Sequence, residues 1–247
     1  MWREGAVSLR PLTLMSYFIA PLFYVVFFAV AITTNVRSVP YGSGLVRYDR
    51  FFLPGLIAIQ SFMLFSLTFS LVRLDRATKV MTLITISRVP VTTYYFGKLL
   101  MAMLMSFLKA LLIILVAFLF TGQAPSLSLG SFAWMSTGIV LGTTVWLSLG
   151  FVAAAYISRE DTRDLVFTLL TLPTTFASSA YYNLALTPAW VRVVGAVNPL
   201  TYTSDLIRLS YLPTQSVSPW ALLAGLSAWA VISMTLALRS LGKLVAP

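Results

Sequence analysis

Apolar runs of membrane-spanning length leave this chain few ways to fold. A helix needs ~20 apolar residues to cross the hydrocarbon core of a bilayer. Such runs cover residues 12–34, with Pro21 placed to kink the helix, and then 51–71, 93–120, 131–157 and 220–238. A further run starts near Leu165 and is interrupted by Pro173. Only 10% of the residues are charged, where an ordinary globular domain has about 25%. Within lipid every backbone polar group must be bonded inside its own segment, so these runs are expected to be helices. The expected fold is an all-α integral membrane protein, a single transmembrane domain over residues 1–247 with six transmembrane helices.

Six spans place both termini on one side. Of the 17 Lys and Arg residues, 11 fall on the side of the termini and 5 opposite, with Lys109 inside the third span. The positive-inside rule then puts both termini in the cytoplasm of a multi-pass protein, expected in the plasma membrane. A net charge of +10 on a soluble chain would suggest nucleic acid. Here the cations cluster at the ends of apolar runs, which reads as topology signal and contact with membrane lipids, with no nucleic acid partner. The first run is long enough to span, so no removable signal peptide is expected. With 0 Cys and 0 His, disulfides, thiolate chemistry and the commonest metal ligand and acid–base group are missing, and no metal site is expected.

The charged stretch from Arg73 to Lys98 lies between two long apolar runs and carries Asp75, Arg76, Lys79 and Arg88 as well. A helix over 75–87 would put Ala77, Val80, Met81 and Ile84 on one face and Thr78, Lys79, Thr82 and Thr85 on the other, with Ile86 falling among the polar residues. Pro90 limits it, since the residue before a proline avoids the helical region. The expectation is an amphipathic helix at the cytoplasmic surface that offers one face to a soluble partner. The alternative is an interfacial helix without a partner. The first loop, 35–50, is rich in Gly and Pro. Residues 174–213, with Pro188, Trp190, Pro199 and Pro213, are only patchily apolar and fit short helices dipping into the membrane surface. Gly138 and Gly142 form a small-xxx-small pair that permits close helix approach.

Chemistry-bearing residues are few. Gly97-Lys98 and Gly242-Lys243 lack the upstream glycine and the following Ser or Thr of a phosphate-cradling loop. The chain therefore binds no cofactor of its own, and any ATP and Mg would sit on another polypeptide. Lys109, at mid-span, either meets an anionic substrate along a dimer pathway or pairs with a carbonyl or hydroxyl between helices. Glu160, Asp161 and Asp164 could form a metal or acid–base cluster, yet Arg159 and Arg163 beside them offer mutual pairing at a helix start. Tyr181, Tyr182, Trp190, Tyr202 and Tyr211 suit an interfacial aromatic belt or a surface on which a substrate stacks.

Three motifs carry a resemblance. Tyr48-Asp49-Arg50-Phe51-Phe52-Leu53-Pro54-Gly55-Leu56 resembles the start of the second span in permease subunits of type-2 ABC exporters. Arg73-Leu74-Asp75-Arg76, followed by Pro90 and Gly97-Lys98-Leu99, is similar to that family's coupling-helix region. Asn198-Pro199-Leu200-Thr201-Tyr202 and then Asp205-Leu206-Ile207-Arg208 resemble its recurrent Asn-Pro-Leu-Thr-Tyr…Arg signature, after Leu172-Pro173 and Pro188-Ala189-Trp190 at family-like spacing. The resemblance covers nearly the whole chain. Departures are Ala77-Thr78-Lys79, where the family often has Glu and Gly, and Ser178-Ser179 in place of a Ser-Gly step.

The resemblance implies two permease copies, as a homodimer or with a close paralogue, around a central pathway. It also implies two separate ABC ATPase subunits, one coupling helix per copy, and re-entrant helices after the fifth span. Asp75, Arg76, Val80, Met81, Ile84 and Arg88 would then couple to the ATPase, with Lys109, Tyr181, Tyr182 and Tyr202 along a substrate pathway. The expected function is outward transport of a drug, lipid or polysaccharide by a subunit that is not itself an enzyme. The rival readings are an integral-membrane enzyme acting on lipid-linked substrates and an ion-coupled carrier; no carboxylate lies in any span to serve the carrier as a relay.

Overall fold

A computed structural model describes residues 36–245 apart from Ser43, Gln123, Leu127, Ser158 and residues 213–216, together with Ile19, Phe23, Val26 and Phe27. The first expected span, 12–34, and the kink at Pro21 lie outside the described residues. The described fold is a helical bundle with one two-stranded hairpin. The hairpin pairs β1 (Ser38–Tyr41) with β2 (Gly44–Arg47), Val39 opposite Val46, through a turn at Gly42. It stands where the sequence suggested only an irregular loop. The turn needs the left-handed φ of 62° that glycine adopts without penalty.

The long helices follow. α1 (Tyr48–Phe62) and α2 (Leu64–Ala77) form one apolar segment through Met63, whose backbone stays helical. After α3 (Val80–Ile86), α4 (Val91–Thr121) begins behind Pro90 and ends at Gly122, left-handed at φ 68°, whose N–H closes the last turn on the Phe118 carbonyl at 2.9 Å. α5 (Leu129–Tyr156) starts at Ser128, whose hydroxyl accepts from the Ser131 N–H at 3.1 Å. α6 (Glu160–Phe176) precedes a 3-10 turn at Leu184–Leu186, then α7 (Ala189–Val197), α8 (Pro199–Arg208) and α9 (Pro219–Val245). Among the described residues four helical segments are long and apolar enough to cross a membrane: Tyr48–Ala77, Val91–Thr121, Leu129–Tyr156 and Pro219–Leu244.

Two expectations need correction. The helix expected over 75–87 is divided: its first residues complete α2, and α3 starts afresh after Thr78 and Lys79. Lys79 takes φ 59°, which ends one helix and resets the angular phase of the next. Pro173 does not interrupt its helix, which runs three residues beyond it to Phe176. Proline there removes only one N–H bond, and the helix closes with the Ala177 N–H on the Pro173 carbonyl at 2.8 Å.

The interior falls into two clusters at opposite ends of the bundle. One gathers Phe51, Phe52, Phe62, Ile139, Ile207 and Leu226, and the other Phe69, Met81, Tyr95, Phe151, Ala237 and Leu241. Glycines let the helices approach. A Cβ on Gly138 would lie 2.6 Å from Ile207 and one on Gly142 2.7 Å from Thr203, so this pair on α5 seats the short helix α8. The outer face of α4, with Leu100, Leu104, Leu111 and Leu115, is left exposed, as suits contact with lipid tails.

Candidate functional site

Two charges of the 73–98 stretch, Asp75 and Lys98, meet at the end of the bundle where α2, α3 and α4 join. Asp75, in the last turn of α2, is buried. Its Oδ2 accepts from the Tyr94 hydroxyl at 2.6 Å and lies 2.8 Å from the Lys98 ammonium, both on α4. The two charged side chains are 11% and 7% exposed. A buried charge is tolerated only when it is paired and hydrogen-bonded. Beside them the Tyr95 hydroxyl meets Ser148 Oγ at 2.7 Å, joining α4 to α5.

α3 is a strap between these partners. Lys79 before it and Arg88 after it, φ 59° and 54°, are the non-glycine residues with positive φ among the described residues. The strap sends Met81, 4% exposed, into the subunit's own core and packs the half-buried Ile84 against it. Leu83 and Ile86 point outward at 61% and 72% exposure, with Val89 beyond them. The expected face of Ala77, Val80, Met81 and Ile84 is therefore replaced, because the break at Lys79 rotates α3 relative to α2. Val80 and Arg76 are half-buried and Arg88 is exposed.

The Asn-Pro-Leu-Thr-Tyr…Arg motif builds a second polar centre. Arg208, in the last turn of α8, is fully buried. Its Nε donates to the Phe51 carbonyl at 3.1 Å, Nη2 donates to the Ser179 carbonyl at 2.7 Å, and Nη1 pairs with Asp205 one turn earlier. The guanidinium lies 3.9 Å from the centre of the Phe51 ring and 5.5 Å from that of Tyr41. Burial pushes the Tyr41 hydroxyl up to about 12, against the pull of the Arg208 charge. Asp205 also accepts from Ser179 Oγ at 2.8 Å, which gives the departure from a Ser-Gly step a function. One side chain thus ties together the hairpin, α1, the turn after α6, and α8.

Asn198 works at a helix junction. Its Oδ1 accepts from the Leu200 N–H at 3.0 Å and caps α8, where Pro199 occupies the first turn. Its Nδ2 donates to the carbonyls of Thr174 and Ala177 at 2.8 and 3.0 Å, satisfying the open end of α6. Asn198→Ala should cost about 1–2 kcal/mol through the lost cap alone. A lowered thermal midpoint in detergent would register it.

The residues expected along a pathway are dispersed over different helix contacts. Tyr181 stacks between Phe52 and Phe176, and its carbonyl accepts from the Tyr48 hydroxyl at 3.0 Å. The Tyr202 ring packs against α9 at Gly225, and its hydroxyl donates to the Ala196 carbonyl at 2.6 Å. Tyr182 is half-buried. Lys109, 8% exposed, lies on the buried seam of α4 with Ser106 and Ile113, and Ser106 bonds Thr143 of α5 at 3.0 Å. At the start of α6, Asp161 pairs with Arg159, the residue before the helix, at 3.5 Å, while Asp164 pairs with Arg163, whose Nη1 donates to Ser70 Oγ at 2.6 Å. Sequence reasoning missed Tyr94 and Lys98 as partners of Asp75, and Phe51 and Ser179 as partners of Arg208. The signals available were the acid Asp75 and the base Lys98 at the facing ends of neighbouring apolar runs, and the i, i+3 pair of Asp205 and Arg208.

A comparison with curated proteins gives no match. The model of the ABC-2 type transporter family matches residues 1–212, which takes in the hairpin, the strap and both motifs around Arg208. With its membrane-spanning helices and a match over most of its length, the chain belongs to the ABC-2 type transporter family, as a membrane permease.

Proposed function

We propose that this chain is the six-span permease subunit of an ATP-driven exporter in the plasma membrane, with both termini cytoplasmic. Two copies, identical or close paralogues, form the pathway, and two separate ATPase subunits bind ATP and Mg. The substrate is carried outward and belongs to the drug, lipid or polysaccharide class. Closure of the ATPase dimer pushes on α3, and the permease halves rock in response. The segment from the 3-10 turn through α8 dips into the outer side of the membrane, where neighbouring protein satisfies its backbone.

The observation that carries this reading is the outward face of α3. Leu83 and Ile86 are large apolar side chains left exposed on a seven-residue helix at the charged end of the bundle, beside Lys79 and Arg88. An apolar patch with a charged rim is what a protein partner covers. Leu83→Glu with Ile86→Glu should abolish co-purification of an ATPase with the tagged chain while leaving its membrane insertion and elution profile unchanged. An ATPase still bound at wild-type stoichiometry would refute the assignment of α3.

A further inference from the structure

We propose that Asp75, Tyr94 and Lys98 form a latch that clamps the two roots of the α3 strap, so that a displacement of α3 moves α2 and α4 as one body. The proposal rests on the reading of α3 as the element the ATPase pushes. Asp75 is one of the residues expected to couple to the ATPase, and because it is buried the proposal gives it that part as a positioning residue.

The geometry joins three side chains across one junction. Residues 78–90 leave α2 just after Asp75 and return to α4 just before Tyr94, so the strap's two roots are adjacent. Across that junction run the bond from the Tyr94 hydroxyl to Asp75 at 2.6 Å and the Asp75–Lys98 ion pair at 2.8 Å. The Lys98 ammonium also lies 5.3 Å from the centre of the Tyr94 ring, so all three members touch one another. The strap itself is jointed: Lys79 and Arg88 sit in left-handed backbone, a local cost that persists only where the surrounding structure holds it. A jointed strap with loose roots would absorb a push by changing its own shape. With the roots clamped, the push passes into two long helices, α2 directly and α4 through the same ion pair. Tyr95 and Ser148 extend the connection to α5. Charge pairs in a water-poor setting resist separation because breaking one strands a buried charge.

The test uses the full chain, whose 0 Cys content permits selective spin labelling. Cysteines at the exposed positions Ala77 and Thr92 place one nitroxide on each root. The labelled chain, diluted with unlabelled chain in lipid nanodiscs, is measured by double electron–electron resonance. The wild-type frame should give one narrow distance distribution. Asp75→Asn should broaden it and shift it to longer distances, and Tyr94→Phe should do so less, since the ion pair remains. Asp75→Asn combined with Lys98→Met removes both members of the ion pair, so neither is stranded by loss of the other, and the bundle should stay folded while the roots stay apart. A wild-type distribution in that double variant overturns the latch.

A second arm uses the complex purified through the tagged chain. ATP with vanadate should leave the wild-type root separation unchanged and should shift it in the double variant. A shift in the wild type overturns the latch. If no ATPase co-purifies, the exporter reading fails, and the first arm still decides the latch by itself.

Discussion

Arg208→Ala should be the most damaging single substitution in the described part of the protein. It removes the donors that hold the carbonyls of Phe51 and Ser179 and takes the guanidinium charge away from the half-buried Asp205. Breaking a buried ion pair by removing one partner costs about 3–5 kcal/mol, a large fraction of the stability of most domains. The expected result is a chain that inserts in the membrane but elutes as aggregate, or unfolds at a much lower temperature in detergent. Arg208→Lys should rescue little, because three directions are served at once by a planar fork that an ammonium on a flexible stem cannot reproduce. Wild-type thermal unfolding of Arg208→Lys would show that the position needs charge and not the fork.

Gly55→Ala tests the neighbouring contact by adding only a methyl group. The new Cβ would lie 2.1 Å from the Ala180 carbonyl oxygen and 2.7 Å from its carbonyl carbon and Cα. These are backbone atoms, so no side chain can swing aside; either α1 or the turn after α6 must move. Overpacking of this kind costs about 1–3 kcal/mol, and more when backbone has to shift. Because the same turn presents Ser179 to Arg208, the displacement should also loosen the guanidinium network. The two variants should therefore be non-additive: Gly55→Ala in an Arg208→Ala background should cost less than it does alone. Thermal midpoints of the two single variants and the double variant provide the check.

Much of the architecture was legible because its signals are local. Run length and the scarcity of charge called for membrane helices, and Tyr48–Ala77, Val91–Thr121, Leu129–Tyr156 and Pro219–Leu244 stand where the runs lie. Short helices were expected within 174–213, and the structure starts two of them at Pro188 and Pro199, where a fixed φ and a missing N–H do no harm. Gly138 and Gly142 announced a close approach, although the sequence could not say that α8 would fill it. The candidate site was less legible. The stretch around Asp75 was found by its charge, but its helix was drawn as one piece. Nothing in Ala77-Thr78-Lys79 compels a break; Lys79 adopts left-handed backbone, and Met81 after that turn is buried in the core.

By itself, then, the sequence determined the solvent, the number and placement of apolar runs, the absence of a phosphate-binding loop, and which residues had no business in a membrane unless they found partners. The tertiary structure decided what those partners are. Asp75 pairs across 23 positions with Lys98, and Arg208 bonds Phe51 across 157. Such choices depend on which helix faces meet, and helix faces are set by packing against several neighbours at once. A buried charge must be paired, but only the assembled bundle says with which residue.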